Sequence, residues 1–374
     1  MQALRPVLLV SLLGLAACTS TSNAPEPSPL PGVDGKVKPS VLWKEAVGGK
    51  TDYRFQPAFD GELVAVIGGD SELALLERSS GKKRWQIKLE HDVAGGVAIS
   101  GGLIAVGTIK GEVLAFDMSG KLVWTAKTSS EIISAPVLSN NLVLARSGDG
   151  KISAFSAVAG ELKWIYQRPQ PALLLRNYAP PVVADGVAYI GQAAGRLSAI
   201  NVADGRVIWE APISLPRGAS ELERVTDIVA PPVVSGDMVC AVAYQGRVAC
   251  LSAQQGSLLW TRDVASWAGL AIDAQHVYIT DSKGQINALE RNSGRSVWRQ
   301  DALAHRFVSA PAVLGNNVLV GDMEGYLHYL NTEDGRLVAQ LPTDGGRIYL
   351  APQSAGSQVL AQTAKGSVYL LGAQ

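Results

Sequence analysis

VAGGVAISGGLIAVGTIKGEVLAFDMSGKLVWTAK, residues Val93 to Lys127, holds four short apolar segments punctuated by glycine turns. GGVAIS runs into Gly101-Gly102. GLIAVGT is followed by the turn Ile109-Lys110-Gly111, EVLAFD by the turn Met118-Ser119-Gly120, and KLVWTA closes the unit. Segments of about six residues, rich in Val, Ile, Leu and Ala and separated by glycines that accept positive φ, read as four antiparallel strands joined by tight turns.

The last turn and its tryptophan recur along the chain. Gly81/Trp85, Gly120/Trp124, Gly160/Trp164, Gly205/Trp209, Gly256/Trp260 and Gly294/Trp298 share the spacing Gly-x-x-x-Trp. A seventh copy, Gly335, has Ala339 in the tryptophan's place, and Trp43 has no glycine turn ahead of it. Successive positions are 42, 39, 40, 45, 51, 38 and 41 residues apart. A period near forty with one tryptophan per unit predicts a circular array of four-stranded blades. An earlier turn glycine repeats at Gly111, Gly150, Gly195, Gly246, Gly284, Gly325 and Gly366, and Ala-Pro pairs open many units, where the missing proline N–H does no harm at a strand's first residue. Small Ala and Gly suit crowded inner strands, and the tryptophans read as packing between blades. Seven complete units span residues 52–341. RIYLAPQ, QVLAQTA and SVYLLGA near the C-terminus supply three further strands, and SVLWKEAV around Trp43 supplies the missing fourth. The expected fold is all-β: an eight-bladed β-propeller closed by the N-terminal strand, which leaves no open edge.

The chain has 374 residues, with 33 basic and 33 acidic side chains. That neutrality gives no basic field of the kind that drives nucleic-acid binding. Residues 1–17 read as a signal peptide. Arg5 precedes an apolar run, Val7–Ala17, too short to span a bilayer, that ends in Leu15-Ala16-Ala17-Cys18. This resembles a bacterial lipobox, which implies cleavage before Cys18 and lipidation of its thiol; Thr19, in place of aspartate, implies delivery to the outer membrane. Residues 18–40 read as a Ser/Pro-rich flexible tether and residues 41–374 as the propeller in the periplasm. Cys240 and Cys250 fall on adjacent strands across the turn at Gln245-Gly246. An oxidising compartment permits a disulfide; two buried free thiols fit as well and are the preferred reading.

Catalytic signatures are missing from the sequence. His91, His276, His305 and His328 fall in no metal-ligand spacing, and there is no nucleophile elbow or P-loop. Asn/Asp-rich stretches such as Asn201–Asp204 serve turns. The blade repeat resembles that of pyrroloquinoline-quinone (PQQ) dehydrogenases, which implies a redox or ligand-binding propeller as the alternative function. Those enzymes carry vicinal cysteines that this chain lacks, and a shared fold does not transfer chemistry. No cofactor and no metal are expected.

Two connections break the rhythm. YQRPQPALLLRNYAPP covers Tyr166–Pro181, and PISLPRGASELERVTDIVAPP covers Pro212–Pro232. Extended connections on a regular scaffold are where function concentrates. Leu173, Leu174, Leu175 and Arg176 in the first have the composition of a protein-binding patch, although the leucines would also fit if folded back on the disc. The second carries Glu221, Glu223, Arg224 and Asp227 on a stretch suited to one helical turn, and reads equally as a solvated charged loop.

At these loops, and over essentially its whole length, the chain resembles the BamB family, lipoproteins of the outer-membrane β-barrel assembly machinery. The most specific stretches are Gly321–Gln340 (GDMEGYLHYLNTEDGRLVAQ) and Glu221–Ile228 (ELERVTDI). The resemblance implies a non-enzymatic periplasmic scaffold that binds a POTRA domain of the barrel protein BamA. Its contacts would be Leu173, Leu175, Arg176 and Asp227. Val229 stands where the family has a second acidic residue, which weakens a role for paired carboxylates. Strand addition of a partner segment to a blade edge would be a second, compatible mode, and nascent outer-membrane proteins would be a further partner.

Overall fold

A computed structural model describes residues 25–33 and 38–372. Cys18 and the expected signal peptide lie outside these residues. The described chain forms eight four-stranded antiparallel sheets, each with its strands in sequence order except the last. Blade one comprises Ala58–Asp60, Leu63–Ile67, Glu72–Glu77 and Lys83–Lys88. Blade two comprises Val93–Ser100, Leu103–Thr108, Glu112–Asp117 and Leu122–Lys127, the strands expected from sequence. Blades three to seven begin at Val137, Val182, Val233, Gly269 and Ala312. Blade eight is a composite of Gln353–Ala355, Gln358–Gln362 and Ser367–Gly372 with Ser40–Ala46 as its outer strand. Ser40 pairs with Gly372 and Ala46 with Ser367, so the chain's first and last strands close the ring.

First strands of successive blades lie against one another around a central axis. Most are three residues long, and Pro136, Pro311 and Pro352 stand immediately before them rather than inside them. The second and third strands are almost wholly buried, and the apolar core is divided among the seams between blades.

The repeat glycines and tryptophans work in register between blades, not within them. Each tryptophan lies on the outer strand of one blade and covers the last turn of the next. The Trp43 indole Nε1 donates to the Arg78 carbonyl, and Trp85, Trp124, Trp164, Trp209, Trp260 and Trp298 repeat the bond, all at 2.7 to 2.9 Å. The turn glycine sits under the ring: a Cβ on Gly256 (φ +68) would come within 2.5 Å of Trp209, and one on Gly81 within 2.7 Å of Trp43. Glycine is therefore required twice over, by its positive φ and by the ring above it. The exception follows the same logic. Ala339 would have to reach the last turn of blade eight, and there the chain's two ends meet in place of a turn.

Blade five carries a disulfide between Cys240 and Cys250. The preferred reading as free thiols is corrected: the hairpin turn sets the two residues directly opposite in the strand register.

The tether reading is also corrected for its described part. Residues 25–33 lie along blades six and seven. The Ser28 amide donates to the Ala304 carbonyl at 3.0 Å. The Ser28 carbonyl accepts from Arg306 Nη1 at 2.9 Å, and the Pro31 carbonyl from Gln340 Nε2 at 2.9 Å. Arg306 is itself buried, held by Asp322 at 2.7 Å through Nη2 and by Glu324, while His328 Nε2 lies 3.0 Å from the same Asp322 carboxylate. The tether backbone completes this guanidinium's set of acceptors, which is why a Ser/Pro-rich segment settles here.

Gly256→Ala is expected to lower stability by about 2–4 kcal/mol through left-handed strain and overpacking, measured by urea unfolding, whereas Ala339→Trp should bring no gain. Hydrogen exchange on the full chain should show the Ser28 amide slowed about tenfold or more, with the protection lost in Gln340→Ala combined with Arg306→Lys.

Candidate functional site

The two long connections are laced together on one face of the disc. They lead into the first strands of blades four and five, and so rise on the side where second and third strands turn. Asp227 is the knot. Its Oδ2 accepts from the Leu175 amide at 2.7 Å and its Oδ1 from the Ala194 amide at 2.9 Å. Asn177 adds a second stitch: its Nδ2 donates to the Ile228 carbonyl at 2.8 Å, and its Oδ1 accepts from the Ala179 amide at 2.8 Å. A leucine-bearing loop with no strand partner is thereby held in one conformation.

Beneath the knot lies Arg146, on the second strand of blade three. It is buried, and its Nη1 donates to the carbonyls of Gly191 at 2.9 Å and Ala179 at 3.3 Å. Burial pushes its guanidinium down to about 10, and the Asp227 carboxylate opposes that shift. Even so lowered, the guanidinium stays charged at neutral pH, and the nearby Asp227 carboxylate favours that charged form. This Arg146–Asp227 relation joins blades three, four and five. It is invisible in sequence, where the two residues are far apart.

The expected contact residues divide accordingly. Leu173 and Leu174 are 41% and 38% exposed. Arg176 is exposed, and Leu175 is half-buried because its amide is committed to Asp227. The leucines do not fold back wholly onto the disc. Asp227 is only 3% exposed, and both its carboxylate oxygens are used. It is corrected from a contact residue to a positioning residue. Two backbone donors and the nearby Arg146 cation offset the cost of taking this carboxylate out of water. Val229 is half-buried in the lead-in to blade five.

The acidic loop makes the short helical turn expected. Ser220 and Glu223 form a capping box: Glu223 Oε2 accepts from the amides of Ala219 at 2.7 Å and Ser220 at 3.0 Å, and Ser220 Oγ accepts from the Glu223 amide at 3.3 Å. Glu221 and Arg224 pair at 3.6 Å in solvent, a contact worth little. Leu222, at the tip, is 70% exposed.

Sequence reasoning missed a third group on this face. Arg54, from the lead-in to blade one, lies 4.3 Å from the ring centroid of Tyr178, from the lead-in to blade four. Blades one and four are not neighbours, so this contact is made across the axis. Arg176 lies 5.8 Å from the same ring. No sequence signal pointed to it, since Arg54 and Tyr178 are far apart in the chain.

Among the described residues, no group of three or more His, Cys, Asp or Glu side chains is arranged to hold a metal ion. The disulfide joins residues ten apart in sequence. The side chains present therefore do not fit the calcium and vicinal disulfide that a dehydrogenase likeness implies.

Comparison with known proteins gives a consistent picture. The family described as "Outer membrane protein assembly factor BamB" matches residues 69–300 and 282–374. A Bordetella pertussis protein of that name is 39% identical over 316 residues, covering 83% of this chain and 82% of its own length. Among solved structures, BamB from Moraxella catarrhalis superposes with a TM-score of 0.82 at 24% identity, covering 90% of this chain and all of that one. The quinohemoprotein alcohol dehydrogenase of Comamonas testosteroni reaches a TM-score of 0.71 at 13% identity, covering 89% of this chain and 76% of that one, a likeness of fold.

Asp227→Ala should cost about 2–3 kcal/mol and, in hydrogen exchange, release the Leu175 amide while leaving blade strands protected.

Proposed function

The chain belongs to the family of outer membrane protein assembly factor BamB, and on that premise we propose that it acts as a non-catalytic scaffold whose loop face grips a POTRA domain of BamA. The observation that carries the reading is the pinned presentation of Leu173 and Leu174 by Asp227 and Asn177. Exposed aliphatic side chains on a loop held at both ends lose little conformational entropy on binding, which is what a contact surface needs. Arg176 stands beside them and supplies a guanidinium for a carboxylate of the partner. Leu175 serves the surface indirectly, through its backbone.

A membrane anchor fits the same orientation. Lipidation at Cys18 would leave seven residues before Pro25, about 25 Å when extended. Pro25 itself lies near Trp267, His305 and Phe307 on the loop face. Docking of residues 25–33 would thus shorten the leash and turn the loop face toward the outer membrane, on its periplasmic side. A scaffold held close to the bilayer by its acyl chains and facing it with its binding loops is suited to support the folding and insertion of barrel proteins there.

Leu173→Asp and Arg176→Glu should each abolish recovery of BamA when the lipoprotein is affinity-purified from detergent-solubilised outer membrane, with the propeller's circular dichroism unchanged; undiminished recovery of BamA by both would remove this face from the proposal.

A further inference from the structure

The lead-in segments of four blades converge over the axis with an unusual composition. Arg54 and Arg176 both approach Tyr178. Arg347 lies 4.7 Å from the ring centroid of Tyr349 and 5.1 Å from that of Phe307. Burial pulls the Arg347 guanidinium below its ordinary value; Tyr349 opposes that shift and the nearby Arg54 cation adds to it. Three cations thus stand at one mouth of a protein whose net charge is zero.

Aromatic rings pack against these guanidiniums, but packing does not balance their charge. Among the described residues none of the three arginines has an ion-pair partner. The Nε of Arg347 is buried with no hydrogen-bond acceptor, an arrangement that costs stability unless something completes it. Glu131 senses the charge of Arg176 but forms no ion pair with it. Phe307 is 49% exposed and sits at φ +50, a left-handed conformation that an aromatic residue rarely adopts. An exposed aromatic held in that conformation next to unpaired guanidiniums marks a surface built for contact.

We infer that Arg54, Arg176, Tyr178, Phe307, Arg347 and Tyr349 form a second contact surface over the axis, which takes an acidic, carboxylate-bearing segment of the protein partner. The inference rests on the proposed scaffold function. Guanidiniums flanked by aromatic rings bind carboxylates through paired N–H donors, while the rings offer apolar area to the aliphatic stems of Asp and Glu. The occupant is a protein segment because the surface is continuous with the leucine loop: Arg176 and Tyr178 belong to both. Leu173 would anchor the partner, and the arginines would set its register and speed its approach, making this part of the affinity sensitive to salt.

The test is binding of detergent-solubilised BamA to the immobilised full chain at several salt concentrations, with Arg54→Glu, Arg347→Glu and Leu173→Asp compared. Arg54→Glu is the principal variant because its side chain carries no buried hydrogen bond, so it should fold as the parent does. The expected result is a loss on the order of tenfold or more in affinity for both arginine variants, with a flatter salt dependence, and a loss for Leu173→Asp with the salt dependence kept. Affinities within twofold of the parent for both arginine variants, with Leu173→Asp still defective, would overturn the second surface and leave the leucine loop standing. Retained binding by all three would remove the scaffold reading as well. A parallel flotation of the Cys18→Ala protein with phosphatidylethanolamine–phosphatidylglycerol vesicles distinguishes a lipid phosphate: Arg54-dependent flotation with BamA affinity intact would overturn the protein partner.

Discussion

Indole over glycine is the contact on which the ring depends. Each tryptophan reaches from the outer strand of one blade to the last turn of the next, lays its ring where a Cβ would stand, and donates its N–H to that turn's carbonyl. A single such hydrogen bond contributes about 1 kcal/mol net, and burial of the ring adds more. Seven copies convert a string of marginal sheets into a disc, because no four-stranded blade can bury both faces alone. The composite eighth blade replaces the missing eighth copy with main-chain pairing between the chain's two ends.

The rigid disc lets its lead-in segments be irregular. Those between blades three and four and between four and five lack strand partners over long stretches, yet they are ordered by side chains that serve backbone groups: Asp227, Asn177 and buried Arg146. What stays outside is leucine and arginine on the first connection and the acidic turn of Glu221 and Glu223 on the second. The face that results has pinned leucines at one side and arginines over the axis. The tether's Ser28 is bound to the lead-in of blade seven on the same side. Among the described residues no group of three or more His, Cys, Asp or Glu side chains is arranged to hold a metal ion.

Repeat architecture was legible because its signal is periodic. The glycine turns, the tryptophan spacing and the split blade all follow from strands of about six residues and a forty-residue step, and the structure has them. Contacts between repeats were not legible, except through Ala339, whose meaning appears only once the next blade's turn is known to be absent. Leu173 and Arg176 could be singled out as unusual loop composition. Asp227 could not be separated from its exposed neighbours Glu221 and Glu223, since burial of a carboxylate depends on which amides the fold points at it. Arg54, Phe307 and Arg347 sit singly in unremarkable lead-ins, and only closure of the ring brings them together. For Cys240 and Cys250 the facing positions were readable from the turn, while the bond was not.

The most direct test of a loop face that grips BamA is site-specific photocrosslinking in living cells. Benzoylphenylalanine would replace Leu174 on the pinned loop and, separately, Val123 on the exposed outer strand of blade two, where it is 50% exposed. The account predicts a crosslink to BamA from position 174 and none from position 123. A crosslink from 123 alone, or from neither while the protein still copurifies with BamA, would contradict it.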